Sequence, residues 1–181
     1  MLRIIGGEAK GRKLKGPKGL EFRPTTGRVK EYIFSIVGPA ISGARVLDLF
    51  AGSGSLGIEA LSRGAAEVIF IEQCREQVCL IEQNLALCHF EAQSSLIKGD
   101  VFKILNYLGK QLSKFDVILA DPPFRKSLNE EIVLAVDKQR ILGSGGVLII
   151  EHQIDDILKH KVNLQLLRQR RFGRCVVSIY E

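Results

Sequence analysis

The sequence predicts an α/β fold of the Rossmann-like, doubly wound kind, with a mostly parallel sheet and an antiparallel C-terminal strand. From residue 45, short apolar runs alternate with helical segments at the spacing of βαβ units, which build parallel sheets through right-handed crossovers. The last two β-prone runs are joined by too few residues for a parallel crossover, so we expect them to pair antiparallel. Residues 1–40 are basic and contain many glycines, which predicts a small hairpin and helix extension ahead of a domain over residues 41–181.

The individual elements follow from apolar periodicity and from turn residues. The extension comprises a hairpin over residues 2–23 and a helix over residues 26–38. Strands of the parallel part are expected at 45–50, 67–72, 94–98, 115–120 and 146–151. Helices are expected at 55–63, 74–88, 101–112, 127–142 and, shorter, near 154–160. The final β-prone runs cover 163–168 and 174–180.

The positive charge of the chain is concentrated at its N-terminus. Residues 1–30 contain nine Lys and Arg and two acids, hence +7, whereas the other 151 residues contain 17 basic and 18 acidic residues, hence −1. A polyanionic partner explains this concentration, and a solvated, solubilising tail is the alternative. Glycine and apolar residues separate the charges as in a folded hairpin, which favours the polyanion. The candidate contacts are Lys10, Arg12, Lys13, Lys15 and Arg23.

Composition disfavours several classes of protein. No apolar run approaches the ~20 residues that span a bilayer, and the first residues lack the apolar core of a signal peptide. We therefore expect a cytoplasmic protein that does not enter a membrane. The four cysteines and three histidines show no spacing typical of metal ligands, so we expect reduced thiols and no bound metal.

A glycine-rich loop follows the first strand. Gly52, Gly54 and Gly57 fit the pattern GxGxxG, in which small residues let the backbone turn tightly and approach a ligand. Glu72 ends the second strand, where a carboxylate can accept hydrogen bonds from both hydroxyls of a ribose. The set predicts an adenosine-containing ligand, although a simple tight turn or an NAD site would use the same elements. Asp48 lies in the strand before the loop and favours a ligand with a methionine moiety, whose amino group it could bind.

The tetrapeptide Asp121-Pro122-Pro123-Phe124 directly follows the fourth strand, and hydride transfer has no need of it. The first and fourth strands should flank the point where the strand order reverses, which is where such sheets bind ligands. The prolines fix φ and lack N–H donors, so the turn offers carbonyl acceptors beside the carboxylate of Asp121. Two acceptors suit an –NH2 group and aim its lone pair at an electrophilic methyl, while Phe124 offers a face for a base to stack on. A purely structural turn is the alternative.

These residues resemble the signature of amino-group methyltransferases that act on adenine N6, cytosine N4 or guanine N2. A closer resemblance, over almost the whole chain, is to the bacterial methyltransferases that modify the N2 amine of a guanine in 16S ribosomal RNA. The segments that carry it are 3–7, 11–14, 23–26, 28–31, 47–54, 56–57, 59–63 and 121–124. The N-terminal segments are the specific part, because many methyltransferases share the glycine loop.

The resemblance implies a seven-stranded fold, S-adenosylmethionine as cofactor, and 16S rRNA or an assembly intermediate of the small ribosomal subunit as substrate. It implies that Thr25 and Arg28 help to close the site and that Asp100 faces the adenine ring. Asp121, Pro122, Pro123 and Phe124 would be the catalytic residues. The residues expected to bind the cofactor are Thr25, Arg28, Asp48, Phe50, Ala51, Gly52, Ser53, Gly54, Leu56, Gly57, Glu72, Gln73, Asp100, Val101 and Asp121. We expect a monomer for a domain of this size.

Two other functions and one surface remain open. A DNA adenine or protein glutamine amino-methyltransferase is disfavoured, because the chain has little room for a target-recognition module and glutamine enzymes usually carry Asn in place of Asp121. A non-catalytic RNA-binding assembly factor is disfavoured by the intact motifs. The cluster of Arg168, Arg170, Arg171 and Arg174 either contacts RNA phosphates or is an ordinary exposed face.

Overall fold

A seven-stranded sheet forms the centre of the computed structural model, which describes residues 2–17, 27–123, 128–154 and 162–181. The strands are β1 (Arg45–Leu49), β2 (Glu67–Glu72), β3 (Ser94–Lys98), β4 (Phe115–Ala120), β5 (Leu142–Gln153), β6 (Leu166–Phe172) and β7 (Cys175–Tyr180). Their order across the sheet is β3-β2-β1-β4-β5-β7-β6. Strands β1 to β5 pair in parallel, whereas β7 runs antiparallel to both β5 and β6. The predicted doubly wound sheet with an antiparallel C-terminal strand is confirmed.

Helices cover both faces of the sheet. They are α1 (Gly27–Val37), α2 (Ser55–Ser62), α3 (Arg75–Cys88), α4 (Val101–Lys110) and α5 (Leu128–Gln139), with short 3₁₀ turns at Gly38–Ile41 and Glu91–Gln93. One apolar cluster joins α1, α2 and α3 to one face of the sheet, and a second joins α4 and α5 to the other face. Because both faces are covered, the central strands are apolar at nearly every position, as the sequence pattern indicated.

The reversal of strand order lies between β1 and β4. The chain runs outward from β1 through β2 to β3, and then returns to place β4 on the other side of β1. Crossover loops diverge at such a point and leave a crevice at the carboxyl ends of the two strands. The glycine-rich loop after β1 and the Asp-Pro-Pro turn after β4 both begin there, as the sequence predicted.

Residues 2–17 form an arm, called here the N-terminal arm, that folds back on itself. Ile4 N–H donates to the Arg12 carbonyl at 3.0 Å and Leu14 N–H to the Leu2 carbonyl at 3.0 Å. An isolated antiparallel bridge joins Arg3 to Lys13. The predicted hairpin is therefore present in this part of the chain, held by single bonds and not by a regular pair of strands. Ile4 and Leu14 are buried against the first apolar cluster, so the arm is packed on the domain.

The ranges predicted for three elements, α5, β5 and β6, were wrong at the C-terminal side of the sheet. Helix α5 ends at Gln139, and β5 starts at Leu142 where the sequence predicted helix. The additional residues of β5 include a Gly-Ser-Gly-Gly run, whose low β propensity gives no sign of a strand. Gly146 of this run is required for packing, because a Cβ there would lie 2.9 Å from the Phe115 carbonyl oxygen of β4.

Strand β6 also differs from its predicted range. It covers Leu166–Phe172, so residues 169–172 are strand and not connection, and the turn to β7 is made at Gly173 (φ 65°) and Arg174. Nearly every residue of β6 is exposed, so the strand lacks the polar–apolar alternation from which strands are predicted. The short helix predicted near 154–160 falls mostly on residues outside those that the structure describes.

Candidate active site

The two loops of the crevice begin side by side. In the parallel register Asp48 pairs with Leu119 and Leu49 with Ala120, so the next residues, Phe50 and Asp121, leave the sheet at the same level. Adjacent parallel strands lie about 4.8 Å apart. The glycine loop, defined as residues 50–57, and the Asp-Pro-Pro turn, residues 121–123, therefore face a common space.

The backbone of the glycine loop needs its small residues. Gly52 and Gly54 have φ of 58° and 76°, in the left-handed region that residues with a Cβ avoid, and Gly54 is the residue that caps α2. Phe50 also has a positive φ, 56°, which is uncommon for a bulky residue. Gly57 is required for packing, because a Cβ there would lie 2.2 Å from Cε1 of Phe70. Each glycine of the predicted pattern thus has its own physical reason.

Two buried carboxylates fix the shape of this loop. Asp48 Oδ2 accepts a hydrogen bond from Gly57 N–H at 2.9 Å. Glu72 Oε2 accepts from Gly52 N–H at 2.9 Å, and Glu72 Oε1 accepts from Cys74 N–H at 2.8 Å. Each carboxylate oxygen has two acceptor positions, so these bonds leave capacity for a ligand. The acids that the sequence assigned to ligand binding therefore also hold the loop.

Three acidic groups, Asp48, Glu72 and Asp121, lie close enough in the crevice to influence one another. Burial raises the pKa of the Asp48 carboxyl well above its ordinary value, and although the Gly57 N–H opposes this shift, the charges of Asp121 and Glu72 raise the pKa further. Asp48 is 1% exposed, so these like charges interact with little screening by solvent. A positively charged ligand would relieve the repulsion, and this electrostatic setting favours a cation over an anionic cofactor.

Asn84 ties the glycine loop to the N-terminal arm, a role the sequence reading missed. Its side chain is fully buried and donates to the Ser53 carbonyl at 2.9 Å and to the Lys15 carbonyl at 3.0 Å. Its Oδ1 accepts from Lys15 N–H at 2.8 Å. The sequence does contain a sign of this role, because Asn84 is a polar residue on the apolar face of α3, beside Ile81 and Leu85 at helical spacing. Such a residue is buried only when its hydrogen bonds are satisfied.

Lys30 makes a second tie from α1 to the same loop. Its ammonium donates to Ser55 Oγ at 3.2 Å, to the Arg3 carbonyl at 2.7 Å and to Glu59 Oε2 at 3.3 Å. Burial lowers the pKa of Lys30, and the ion pair with Glu59 opposes that shift. Lys30 was counted with the basic N-terminus, but it is only 2% exposed and cannot contact a polyanion.

Glu59 completes this buried network between the arm and α2. Its carboxylate accepts from the backbone N–H groups of Ile5 and Gly6 at 2.9 and 2.8 Å, and from Arg63 Nε at 2.9 Å. Its side chain is fully buried, so these three donors and the Lys30 ammonium replace the water that a carboxylate would otherwise bind. The network fixes the arm against the helix that follows the glycine loop.

The three residues of the Asp-Pro-Pro turn differ in their exposure to solvent. Asp121 is half-buried, Pro122 is buried and Pro123 is exposed. The pyrrolidine rings of the two prolines fix φ at both positions and so restrict the backbone of the turn. Phe124 lies outside the described residues, as do Thr25 and Arg23.

The remaining predicted ligand residues lie at the same edge of the sheet. Asp100 caps α4, and its Oδ1 accepts from Lys103 N–H at 3.0 Å. The Phe50 ring packs edge-on against Phe102 of α4, with centroids 6.4 Å apart. Four others share only this edge location. Gln73 is exposed after β2, Val101 is buried in the first turn of α4, and Ala51 and Leu56 are buried within the loop. Arg28 is exposed at the start of α1.

The basic side chains of the arm are exposed. This holds for Lys10, Arg12, Lys13 and Lys15. Two of them also dock the arm on α3, since Arg12 Nη1 donates to the Leu87 carbonyl at 2.6 Å and Lys15 Nζ to Gln83 Oε1 at 2.8 Å. The arm thus presents positive charge from a fixed position.

Two further observations concern the described part of the chain. None of its helices combines the length and apolar character needed to cross a bilayer. All four cysteines lie within it and no disulfide joins any of them; Cys88 and Cys175 are buried.

Comparison with known proteins gives a consistent result. The model of a family described as "Conserved hypothetical protein 95" matches residues 2–181. The chain is 34% identical to "Ribosomal RNA small subunit methyltransferase D" of Escherichia coli (strain K12), over 99% of this chain and 89% of that protein. A protein of the same description from Haemophilus influenzae is 35% identical, over 99% and 93% of the two chains. The solved structure of yhhF from Escherichia coli superposes with a TM-score of 0.87 at 35% identity, covering 98% of this chain and 96% of that one.

Proposed function

The chain belongs to the family described as Conserved hypothetical protein 95, and from that premise we propose that it uses S-adenosylmethionine to methylate the N2 amine of a guanine in 16S ribosomal RNA. Its relatives in that family include proteins described as small-subunit ribosomal RNA methyltransferases. The family resemblance seen in the sequence is thereby confirmed, while the acceptor nitrogen and the individual residue roles are our proposal.

One observation supports the proposal most directly. The Asp-Pro-Pro turn leaves β4 at the level where the glycine loop leaves β1, so the acceptor oxygens of the turn lie beside the loop that we assign to the adenosine part of the cofactor. The carboxylate of Asp121 and a carbonyl of the turn would accept the two N–H bonds of a planar amine. Held in this way, the amine directs its lone pair into the crevice, and orientation provides much of the rate enhancement.

The donor set of the crevice fits S-adenosylmethionine. When bound, this cofactor supplies a methyl group already activated on a positively charged sulfur. Its ammonium and sulfonium groups suit a crevice lined by the carboxyl groups of Asp48, Glu72 and Asp121, where burial raises the pKa of Asp48 and the two neighbouring acids raise it further. NAD would bring negative phosphates to the same place. The electrostatics therefore favour the methyl donor over the dinucleotide that the sequence pattern also allowed.

Each part of the cofactor has a candidate partner in this chain. Asp48 would bind the ammonium group while continuing to hold Gly57, and Glu72 would accept from the ribose hydroxyls while continuing to hold Gly52. Asp100, at the start of α4, would accept from the adenine amino group. Thr25, which precedes α1 in the sequence, and Arg28, in the first turn of α1, would cover the cofactor.

The exposed basic residues of the N-terminal arm would bind RNA phosphates. Lys10, Arg12, Lys13 and Lys15 provide positive charge that α2 and α3 hold in place. A base within a helix cannot reach a crevice of this kind, so the target guanine would be flipped out or lie in an unpaired segment. Phe124 would then stack on the base.

The experiment that tests the proposal uses S-adenosylmethionine labelled at its methyl group. The protein is incubated separately with 16S RNA, small-subunit particles, duplex DNA and a protein mixture, and labelled RNA is digested to nucleosides. We expect label in RNA or in the particles, recovered as N2-methylguanosine. Label in another nucleoside would overturn the acceptor nitrogen. Label only in DNA or protein would overturn the RNA substrate. No transfer and no cofactor binding by calorimetry would favour an RNA-binding assembly factor.

A further inference from the structure

The outer edge of the sheet carries a second concentration of positive charge. Arg168, Arg170 and Arg171 lie in β6 and Arg174 in the turn that follows, and no acidic residue occurs between Val162 and Tyr180. All four side chains belong to exposed residues. None of them forms an ion pair with a carboxylate of the described residues. We call these four arginines the β6 edge surface.

Two of these arginines are held in position. The Arg170 guanidinium lies 5.0 Å from the centroid of the Tyr32 ring and 5.3 Å from that of Phe172, and the two rings are 5.3 Å apart. Arg171 Nε donates to the Gly173 carbonyl at 2.7 Å. Guanidinium groups fixed beside aromatic faces combine phosphate binding with a platform for bases. Arginines that served only for solubility would not need such fixed positions.

The register of the sheet places this surface at the level of the crevice. Ala120 of β4 pairs with Ile150 of β5, so Asp121 is level with the next residue of β5, Glu151. Glu151 pairs with Val177 of β7, and Val177 pairs with Arg170 of β6. Arg170 is therefore level with Asp121, three strand spacings away, or about 14 Å. The N-terminal arm is docked on α2 and α3, over the opposite half of the sheet. The two basic surfaces therefore lie over opposite halves of the sheet, and the crevice between β1 and β4 lies where those halves meet.

We propose that the β6 edge surface binds phosphates of the RNA that flank the target nucleotide, on the side of the crevice opposite the N-terminal arm. This inference rests on the proposed function. It assigns the edge of the sheet a role in substrate recognition that neither the glycine loop nor the Asp-Pro-Pro turn can supply. An RNA held on both sides of the crevice presents one nucleotide to Asp121 with little freedom to shift.

The alternative is that the charges only keep an exposed edge strand from pairing with another chain. Charge reversal separates the two ideas, because glutamates protect an edge as well as arginines do but repel phosphates. The test variant is R168E/R171E. A matched control, K110E/K138E, makes the same change of net charge at exposed residues in the last turns of α4 and α5, at the end of the sheet opposite the crevice.

The measurement is the Kd for 16S RNA at several KCl concentrations, with S-adenosylhomocysteine binding and thermal unfolding as checks on the fold. For R168E/R171E we expect the Kd to rise at least tenfold and the slope of log affinity against log salt to become shallower by about 1.4–1.8, from about 0.7–0.9 per lost phosphate contact. For the control we expect a change of less than twofold. R170K keeps the charge but not the planar group on Tyr32, so it should weaken binding with an unchanged slope.

Three results would overturn the proposal. Equal losses in the variant and the control would show a long-range effect of net charge, and no loss in the variant would leave the edge without a role in RNA binding. If R168E/R171E lost affinity for small-subunit particles but kept its affinity for free 16S RNA, the β6 edge surface would contact a ribosomal protein instead. If the unaltered protein methylates RNA and R168E/R171E binds it normally, this inference alone fails. If the unaltered protein neither binds nor methylates RNA, the proposed function fails with it.

Discussion

The two loops that face each other across the crevice are made rigid in different ways. The glycine loop is held by side chains from elsewhere, namely Asp48 in β1, Glu72 in β2, Asn84 in α3 and Lys30 in α1. The Asp-Pro-Pro turn is held by its own proline rings, which fix φ covalently. Glycine gives a backbone the freedom to approach a ligand but removes its intrinsic stiffness, so such a loop needs partners. A proline turn begins with less backbone freedom, because two of its φ angles are already fixed.

This difference determines which substitutions should disturb each loop. The glycine loop should respond to substitutions in any of the four surrounding elements. Such substitutions should change both the free energy of unfolding and the cofactor affinity. The acceptor side should respond mainly to substitution of Asp121, and its failure should appear in turnover alone. Three substitutions, in decreasing order of expected effect, can break or sharpen the contrast.

The largest effect is expected for Asp121→Ala. Removing the carboxylate takes away one of the two acceptors that orient the amine, so kcat should fall at least ~100-fold, by analogy with the loss of one positioned hydrogen bond in other active sites. Cofactor affinity measured by calorimetry should stay within about tenfold. Asp121→Asn keeps one acceptor oxygen and should retain intermediate activity. Unimpaired turnover in the alanine variant would refute the role of Asp121.

The next effect is expected for Gly57→Ala. The added methyl would lie 2.2 Å from Cε1 of Phe70 and 2.9 Å from Oδ2 of Asp48, so the loop must shift. We expect a loss of about 1–3 kcal/mol in the free energy of unfolding, as for other overpacked sites, together with weaker cofactor binding. Gly16→Ala is the matched control, since a Cβ there meets no atom within 4 Å. Equal stability of the two variants in urea denaturation would contradict the packing argument.

The smallest effect is expected for Asp48→Asn, and it depends on pH. Because the pKa of Asp48 is raised in the folded state, folded Asp48 keeps its proton between the unfolded value near 4 and the higher folded value. The free energy of unfolding contributed by this group therefore falls as pH rises through that window and is level above it. Asn can still accept the Gly57 N–H, so the apo variant should gain stability relative to the parent as pH rises.

Cofactor binding should move in the opposite direction for that variant. The parent should bind S-adenosylmethionine more tightly as pH rises through the folded pKa of Asp48, because the cation needs the ionised carboxylate. The variant should show no such dependence and should bind about tenfold more weakly at neutral pH, or ~1.4 kcal/mol. The same pH profile for both proteins would exclude an ion pair between Asp48 and the cofactor.

Much of this architecture could be read from local pattern. The strands from β1 to β4 and the helices α2 and α3 begin and end within a residue or two of their expected positions. The glycine pattern and the Asp-Pro-Pro turn were recognisable because their chemistry is local, in the positive φ of Gly52 and Gly54 and the fixed φ of two prolines. The limits of β5 and β6 were not recognisable. Glycine and arginine runs have no strand periodicity, and only pairing with β4 and β7 makes them strands.

The order of elements, the position of the crevice and the loops that face it follow from propensities and spacings within short stretches of the chain. The burial of Lys30 and Asn84, which join the N-terminal arm to the glycine loop, and the position of Arg170 level with Asp121 follow only from the packing of distant segments. A buried polar residue is tolerable only where distant parts of the chain bring it partners. Here the N-terminal arm, α1, α3 and the glycine loop supply those partners to one another, so no single segment of the sequence predicts them.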